Sequence, residues 1–255
     1  MPGQLDGKVV LITGGGSGIG RATALRVARE AAKVMIADYV SEGALKTVAM
    51  IKEAGGIADC IAADVSVPGQ VEAMVSKTVA TFGRIDCAFN NAGIAGPGGG
   101  ARTANYPEEG FDQVIAINLK GVWLCMKCEI PQMLKVGGGA IVNTASAAGL
   151  IGLPGACAYV AAKHGVVGLT RTAALEYAQK NIRVNCVCPG FIRTPMLERG
   201  LDAGRLSVEQ INAMEPVGRM GTPEEIAESV LWLMSDAASF VTGHPLSIDG
   251  GYVAR

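Results

Sequence analysis

Tyr159 and Lys163 stand four positions apart in a 255-residue chain, with Ser146 thirteen residues upstream of the tyrosine. On a helix, residues four apart share a face and lie about 6 Å apart along the axis. A lysine ammonium at that range favours phenolate over phenol, so it would pull a tyrosine pKa down from its ordinary value near ~10. Such a tyrosine takes or gives a proton at neutral pH, and a serine hydroxyl beside it can hold an oxygen on which charge develops. The set suits chemistry at an alcohol or carbonyl oxygen. Tyr-x-x-x-Lys by itself is also an ordinary helix-surface pair, and the elements around it decide between the two.

Residues 8–13 (K-V-V-L-I-T) form a β-branched run of the kind buried on both faces of a parallel sheet. They feed directly into Gly14-Gly-Gly-Ser17-Gly18-Ile19-Gly20 and then a helix. Strand, glycine-rich turn and helix N-terminus together make an anion site, because backbone N–H groups can approach a pyrophosphate and the helix dipole favours its charge. The G-x-G-x-x-G spacing is absent; the set present is Thr13-Gly14-x3-Gly18-x-Gly20. There is no Gly-Lys-Ser/Thr, which argues against a nucleoside-triphosphate P-loop. A second strand over 34–37 ends on Asp38, 18 residues after Gly20, where a carboxylate would accept the ribose 2′-hydroxyl of NAD and repel the 2′-phosphate of NADP. No basic residue follows at Tyr39, and Ser17 stands where one could have met that phosphate. The reading is therefore NAD, with NADP as the alternative. A plainer role for Asp38 is to open a turn capped by Ser41.

The alternation continues with a helix over 42–54, a strand over 57–63 ending on Asp64, a helix opened by Ser66 and Pro68 and stopped by Gly83, and a strand over 85–90 leading into Asn90-Asn91-Ala92-Gly93. A long helix is expected over 109–134, bent by Pro131, with Asn118 at mid-helix, where an amide is an indifferent helix former. A fifth strand over 139–145 delivers Ser146. The helix carrying Tyr159 and Lys163 runs over 156–180 and stops at Asn181. A sixth strand over 182–188 precedes Pro189-Gly190. Residues 191–220 read as a mobile lid with helical pieces. Thr222-Pro223-Glu224-Glu225 opens a last helix, and 246–248 form the last strand. This order implies an α/β fold: a doubly wound Rossmann-type parallel sheet of about seven strands with helices on both faces, in a single domain over 1–255. Ligands of such sheets bind beyond the strands' C-terminal ends, where Gly14, Asp38, Asp64 and Asn91 all fall.

A net charge of −1 leaves no electrostatic footprint for nucleic acid or an anionic membrane surface. The uncharged run over 136–162 is broken by glycines, Pro154, Asn143 and Ser146, so it reads as strand, loop and helix rather than a membrane span. With no apolar leader at the N-terminus, the expected compartment is the cytoplasm. Seven cysteines without framework spacing read as free thiols, and Cys125-x-x-Cys128, with only His164 and His244 in the chain, does not make a metal site.

Together these residues resemble the short-chain dehydrogenase/reductase family in its compact single-domain form. The resemblance spans nearly the whole chain, and its parts are the 13–20 glycine set, Asp64, Asn90-Asn91-Ala92-Gly93, Asn118, Ser146, Tyr159-x3-Lys163, Pro189-Gly190 and Asp249-Gly250-Gly251. It implies NAD(P)-dependent alcohol oxidation or carbonyl reduction, with Tyr159 as general acid/base and Ser146 bonding the substrate oxygen. Lys163 would lower the tyrosine pKa and hold the nicotinamide ribose, and Asn118 would help carry a water chain from Lys163 to solvent. Asp64 and Val65 would flank the adenine, Asn91 and Gly93 would lie along the cofactor, and Ile192 with Thr194 would meet the nicotinamide amide. Gly14, Ser17, Gly18, Ile19, Gly20, Asp38, Pro189 and Gly190 complete the expected cofactor site. The substrate, a small alcohol or ketone, would meet Ser146, Ala148, Cys157, Tyr159 and Phe191, in a largely apolar pocket built from the loop after Gly93, residues 147–157 with Leu153, and the lid. Arg102 or Arg193 could meet an anionic group, though each also reads as a solvated loop charge. The family pattern implies a homotetramer assembled through the 109–134 and 156–180 helices, on which Trp123, Leu124 and Met126 are candidates, and through the last strand. A dinucleotide-sensing protein without turnover is the reading from a different class.

Overall fold

The computed structural model describes residues 3–96, 100–204 and 207–254. Among them, seven parallel strands make one sheet: β1 (Val9–Thr13), β2 (Lys33–Asp38), β3 (Ile57–Ala62), β4 (Cys87–Asn90), β5 (Gly139–Thr144), β6 (Ile182–Pro189) and β7 (Pro245–Ile248). Their order across the sheet is β3-β2-β1-β4-β5-β6-β7. The connecting helices are α1 (Gly18–Arg29), α2 (Ser41–Glu53), α3 (Pro68–Phe82), α4 (Glu108–Ile115), α5 (Gly121–Lys135), α6 (Cys157–Tyr177), α7 (Pro195–Asp202), α8 (Val208–Met214) and α9 (Pro223–Met234). The doubly wound Rossmann-type sheet expected from the strand–helix alternation is the fold.

All of β1 is buried because both faces of the sheet are covered. Val10, Ile12, Val34 and Ile36 pack with Val27 of α1, Ile51 of α2 and Leu231 of α9. Leu11, Met35, Ile141 and Val184 turn to the other face, toward Met74 of α3, Ile130 of α5 and Val166 of α6. The period-two alternation along β1 assigns each side chain to its face. After β1 the chain builds outward through β2 and β3, then returns to place β4 on the other side of β1. That reversal leaves a crevice between the two sets of connections above the strands' C-terminal ends.

Helix ends follow the sequence signals in part. Gly83 stops α3 in the left-handed region at φ 87°. Thr222 and Glu225 form a reciprocal capping box at α9, with Thr222 Oγ1 accepting from Glu225 N at 3.3 Å and Glu225 accepting from Thr222 N at 2.8 Å. Ser41 and Ser66 do not cap: the cap positions are Val40 and Val67, without a side-chain bond. The Ser66 hydroxyl instead donates to Asp64 Oδ1 at 2.6 Å.

The single helix expected over 109–134 is in fact α4 and α5 joined by one π turn, Ala116–Lys120, in which Gly121 N reaches Ala116 O five residues back. The apolar period runs on through the inserted residue, so the sequence carries no mark of the turn. Packing against α6 fixes it there, where a Cβ on Gly165 would lie 2.7 Å from Leu119 Cδ1. Leu124 and Met126 belong to the core, whereas Trp123 is exposed with Lys127 over its ring. The 191–220 stretch holds α7 and α8, while Arg205 and Leu206 lie outside the described residues. It is tied down by Phe191 N–H on Glu215 Oε1 at 2.9 Å and by the Ile192–Gly221 bridge.

Thr222→Ala should cost about 1 kcal/mol by removing the α9 cap. That corresponds to a fall of about 2–4 °C in Tm for a chain of this size, readable by calorimetry. Ser41→Ala, which removes no cap, should leave Tm where it is.

Candidate active site

β5 ends at Thr144 and delivers Ser146 in an extended conformation, its Oγ accepting from Ala148 N at 3.2 Å. That bond opens a short 3-10 turn at Ala147–Gly149, which packs on α6 so closely that a Cβ on Gly149 would come within 2.8 Å of the Lys163 carbonyl. Tyr159 lies in the first turn of α6, half-buried, with its phenol toward the Ser146 hydroxyl. Lys163 follows one turn later and is buried. Its Nζ donates to the Thr144 carbonyl at 2.7 Å and lies 5.5 Å from the centre of the Tyr159 ring. Asn118, set by the π turn, clamps Ile94: its Oδ1 accepts from Ile94 N at 2.9 Å and its Nδ2 donates to Ile94 O at 2.8 Å. Gly93 is wedged beside this clamp, where a Cβ would stand 3.1 Å from Asn118 Oδ1 and 3.8 Å from Lys163 Nζ. The fold thus gathers Asn118, Ser146, Tyr159 and Lys163 at one end of the sheet.

The electrostatics of the pair differ from the expectation set by spacing. Burial pushes the Tyr159 phenol above its ordinary value, and the Ser146 hydrogen bond opposes this without reversing it. Burial also pushes the Lys163 ammonium down to about 8, partly countered by the Cys188 and Cys186 thiols. Desolvation penalises the charged form of both groups.

The crevice above β1 and β4 is stitched by the Thr13 hydroxyl, which accepts from Asn91 N at 3.0 Å and Ala92 N at 3.1 Å. Asn91 Nδ2 in turn donates to the Thr13 and Gly14 carbonyls, each at 3.2 Å. Gly14 has φ 64°, and Gly20 has no room for a side chain, since a Cβ there would meet the Gly14 carbonyl at 2.1 Å. Across from Gly18 stands Thr194, 3.3 Å from where a Gly18 Cβ would be. Ser17 precedes α1 with its hydroxyl spent on no cap bond. Asp38 accepts from Gly16 N through Oδ2 and from Val40 N through Oδ1, each at 2.8 Å, which aims the carboxylate at the turn. A helix N-terminus, two glycines that cannot carry a Cβ and an acceptor at the end of β2 fit a dinucleotide.

Asp64 gives Oδ1 to the Ser66 N–H and hydroxyl, and the Val65 side chain belongs to the core. Gly190 N bonds the Ile248 carbonyl at 3.1 Å, and Ile192 is buried. The pocket walls meet where Gly100 N donates to the Gly155 carbonyl at 3.2 Å; Pro97, Gly98 and Gly99 of the same loop lie outside the described residues. Ala148 is buried, Cys157, Leu153 and Phe191 are half-buried, and Phe191 meets Tyr252 edge to face with centroids 5.7 Å apart. Arg102 is exposed, as is Arg193, which pairs with Glu198 at 3.6 Å.

A family model described as "Enoyl-(Acyl carrier protein) reductase" matches residues 14–253. The cyclohexanol dehydrogenase of Acinetobacter sp. (strain SE19) is 46% identical over 255 residues, covering 100% of this chain and 98% of that protein. The chain belongs to the short-chain dehydrogenase/reductase family. Among solved structures, levodione reductase matches with TM-score 0.93 and 43% identity, over 98% of this chain and 99% of that one. The 3-ketoacyl-(acyl-carrier-protein) reductase of Brucella melitensis, solved in complex with NADH, matches with TM-score 0.90 and 34% identity over 98% and 99%.

Of the residues that support the site of this family member, two escaped the sequence reading and a third, Thr13, was named without this role. The Thr144 backbone carbonyl holds Lys163, the Thr13 hydroxyl joins β1 to the loop after β4, and Arg21 ties α1 to the Gly16 carbonyl and the Thr47 hydroxyl. The threonine directly before Gly14 was visible as part of the motif, but its role needs β4 beside it. Nothing in the local sequence points to the other two.

Because the folded Lys163 binds its proton more weakly than the unfolded chain does, wild-type stability should rise relative to Lys163→Met as pH increases from about 8 to about 10.5. Below pH 8 the wild type carries the full cost of burying the ammonium. Urea unfolding of both proteins across that range checks the sign.

Proposed function

We propose that this oxidoreductase, which acts on secondary alcohols and ketones, uses NAD(H) and Tyr159 to do so. The observation that carries the reading is Tyr159 gathered with Ser146 beside the buried Lys163, which the Thr144 carbonyl holds, at the end of the sheet that bears the Gly14–Gly20 turn. When bound, NAD(H) supplies the hydride acceptor or donor. The rest is proton work by the chain. Tyr159 gives its proton to the oxygen of a ketone, and Ser146 donates to the same oxygen, so charge developing there meets two donors. In the reverse direction Tyr159 must first be phenolate. Burial opposes that state, so the Lys163 ammonium and the Ser146 hydroxyl are the two groups that favour it.

Asp38 supports NAD over NADP. Its carboxylate is locked by two backbone amides at the end of β2. The nearby guanidinium of Arg21 is engaged by the Gly16 and Gly43 carbonyls and Thr47, and so is withheld from a 2′-phosphate. The NADH complex of the Brucella reductase agrees with this preference. For the substrate, the apolar wall of Ala148, Leu153, Cys157 and Phe191, together with the name of the Acinetobacter relative, favours a small alicyclic secondary alcohol or its ketone. The reading extends to one domain over 1–255 with α7 and α8 as the lid. It also includes a homotetramer in the cytoplasm, for which exposed Trp123, Leu175 and Phe240 offer apolar surface. Among the described residues no helix is long and apolar enough to cross a membrane.

Tyr159→Phe should lower kcat on cyclohexanol and NAD by on the order of 10²-fold or more; a variant with full turnover would remove the tyrosine from the mechanism and leave only dinucleotide binding. Replacing NAD by NADP should lower kcat/KM by on the order of 10²-fold, and Asp38→Ala should narrow that gap. Because burial favours the protonated phenol, alcohol oxidation should climb with rising pH while ketone reduction persists to lower pH, as paired pH–rate profiles would show.

A further inference from the structure

Behind the site, on the α5–α6 side of the sheet, lies a polar layer that the reaction above does not use. Glu129 of α5 is completely buried, with a relative exposure of 0%. Its Oε2 accepts from Asn90 Nδ2 at 3.1 Å, and the second hydrogen of that nitrogen goes to Asn143 Oδ1 at 3.0 Å. Asn143 Nδ2 donates to Thr170 Oγ1 at 3.0 Å and to Met126 Sδ at 3.4 Å. Thr170 lies two turns beyond Lys163 on α6, and Cys186 and Cys188 of β6 are free thiols.

Among the described residues, two atoms of this layer are buried without a partner, Glu129 Oε1 and Asn90 Oδ1. They belong to the two groups that Asn90 Nδ2 already joins. An ionised carboxylate only accepts, so it would leave both oxygens unsatisfied in a dry interior. A proton on Oε1 turns one acceptor into a donor and satisfies the pair at once, as a two-sided acid–amide contact.

We propose that Glu129 is held as a neutral carboxylic acid, paired on both sides with the Asn90 amide, and that this pair is a positioning device for Lys163. Asn90 passes the constraint to Asn143. That residue grips α6 at Thr170, and its neighbour Thr144 holds the Lys163 ammonium with its carbonyl. Burial pushes the Glu129 carboxyl up to about 7, against the pull of the Asn90 bond. The surrounding titratable groups are the thiols of Cys125 and Cys128 on α5 and of Cys186 and Cys188 on β6, with Glu72 of α3 near Cys128; Lys127 on α5 and Lys163 on α6 are the nearby cations, and neither forms an ion pair with Glu129. The positioning half rests on Lys163 serving the reaction proposed above, whereas the protonation half does not.

The test uses the full-length enzyme as wild type, Glu129→Gln and Glu129→Leu. Glutamine keeps a neutral two-sided pair, so Glu129→Gln should turn over within about twofold of wild type at pH 6. Wild type should lose thermal stability relative to Glu129→Gln as pH rises from about 4.5 to about 7, because the unfolded carboxyl releases its proton first. The infrared difference between those two proteins at pH 6 should contain the C=O stretch of a protonated carboxylic acid. Glu129→Leu should lower kcat by on the order of tenfold, with a smaller fall in NAD affinity read by fluorescence. A carboxylate band in place of the acid band, or a Glu129→Gln variant as impaired as the leucine one at every pH, would overturn the neutral pair. A well-folded Glu129→Leu with wild-type kcat would overturn the positioning role. Tyr159→Phe with full turnover would bear on the reaction alone and leave the infrared result standing.

Discussion

α6 and β5 meet in the 2.7 Å bond from the Lys163 ammonium to the Thr144 carbonyl. The helix carries Tyr159 and the strand delivers Ser146, so the separation of those two hydroxyls is set by how α6 docks on the end of β5. A buried ammonium is costly unless an acceptor meets it, and the last carbonyl of β5 is that acceptor. The same burial lowers the proton affinity of Lys163 and raises that of Tyr159. Both groups are thereby biased toward their neutral forms.

Two further contacts keep that docking in register with the rest of the sheet. Asn118 clamps Ile94 from the π turn, which brings the loop after β4 against Lys163. Asn143, one residue before Thr144, bonds Thr170 two turns beyond Lys163, so α6 is held to β5 at two levels. A π turn adds a residue to a helix at the expense of regular bonding and is found most often where a side chain must be re-aimed. Here it presents the Asn118 amide to a backbone segment that a continuous helix would leave unclamped.

The crevice above β1 and β4 depends on close backbone approach rather than on charged side chains. Thr13 and Asn91 tie the two strand ends together, and Gly14 and Gly20 let α1 begin directly against them. The Gly14, Gly15 and Gly16 amides are taken up by the Ala37 carbonyl and Asp38, so the amides without an acceptor in the helix are those that begin α1. Asp38 closes its far end, its carboxylate fixed by two amides.

Strand and helix periods, the glycine spacing after β1, the acid ending β2, the stop at Gly83 and the capping box at Thr222 are local signals, and each can be read in the sequence because its physics involves neighbours within one or two turns. The residue types of the site were legible for the same reason. Four things were not: the π turn at Asn118, the hydroxyl of Ser66 turning to Asp64 instead of capping, the Thr144 carbonyl under Lys163, and the direction in which the Tyr159 phenol titrates. The spacing of Tyr159 and Lys163 determined that the two groups share a helix face. Their depth in the folded chain, which only tertiary packing sets, decided that burial favours the neutral form of each.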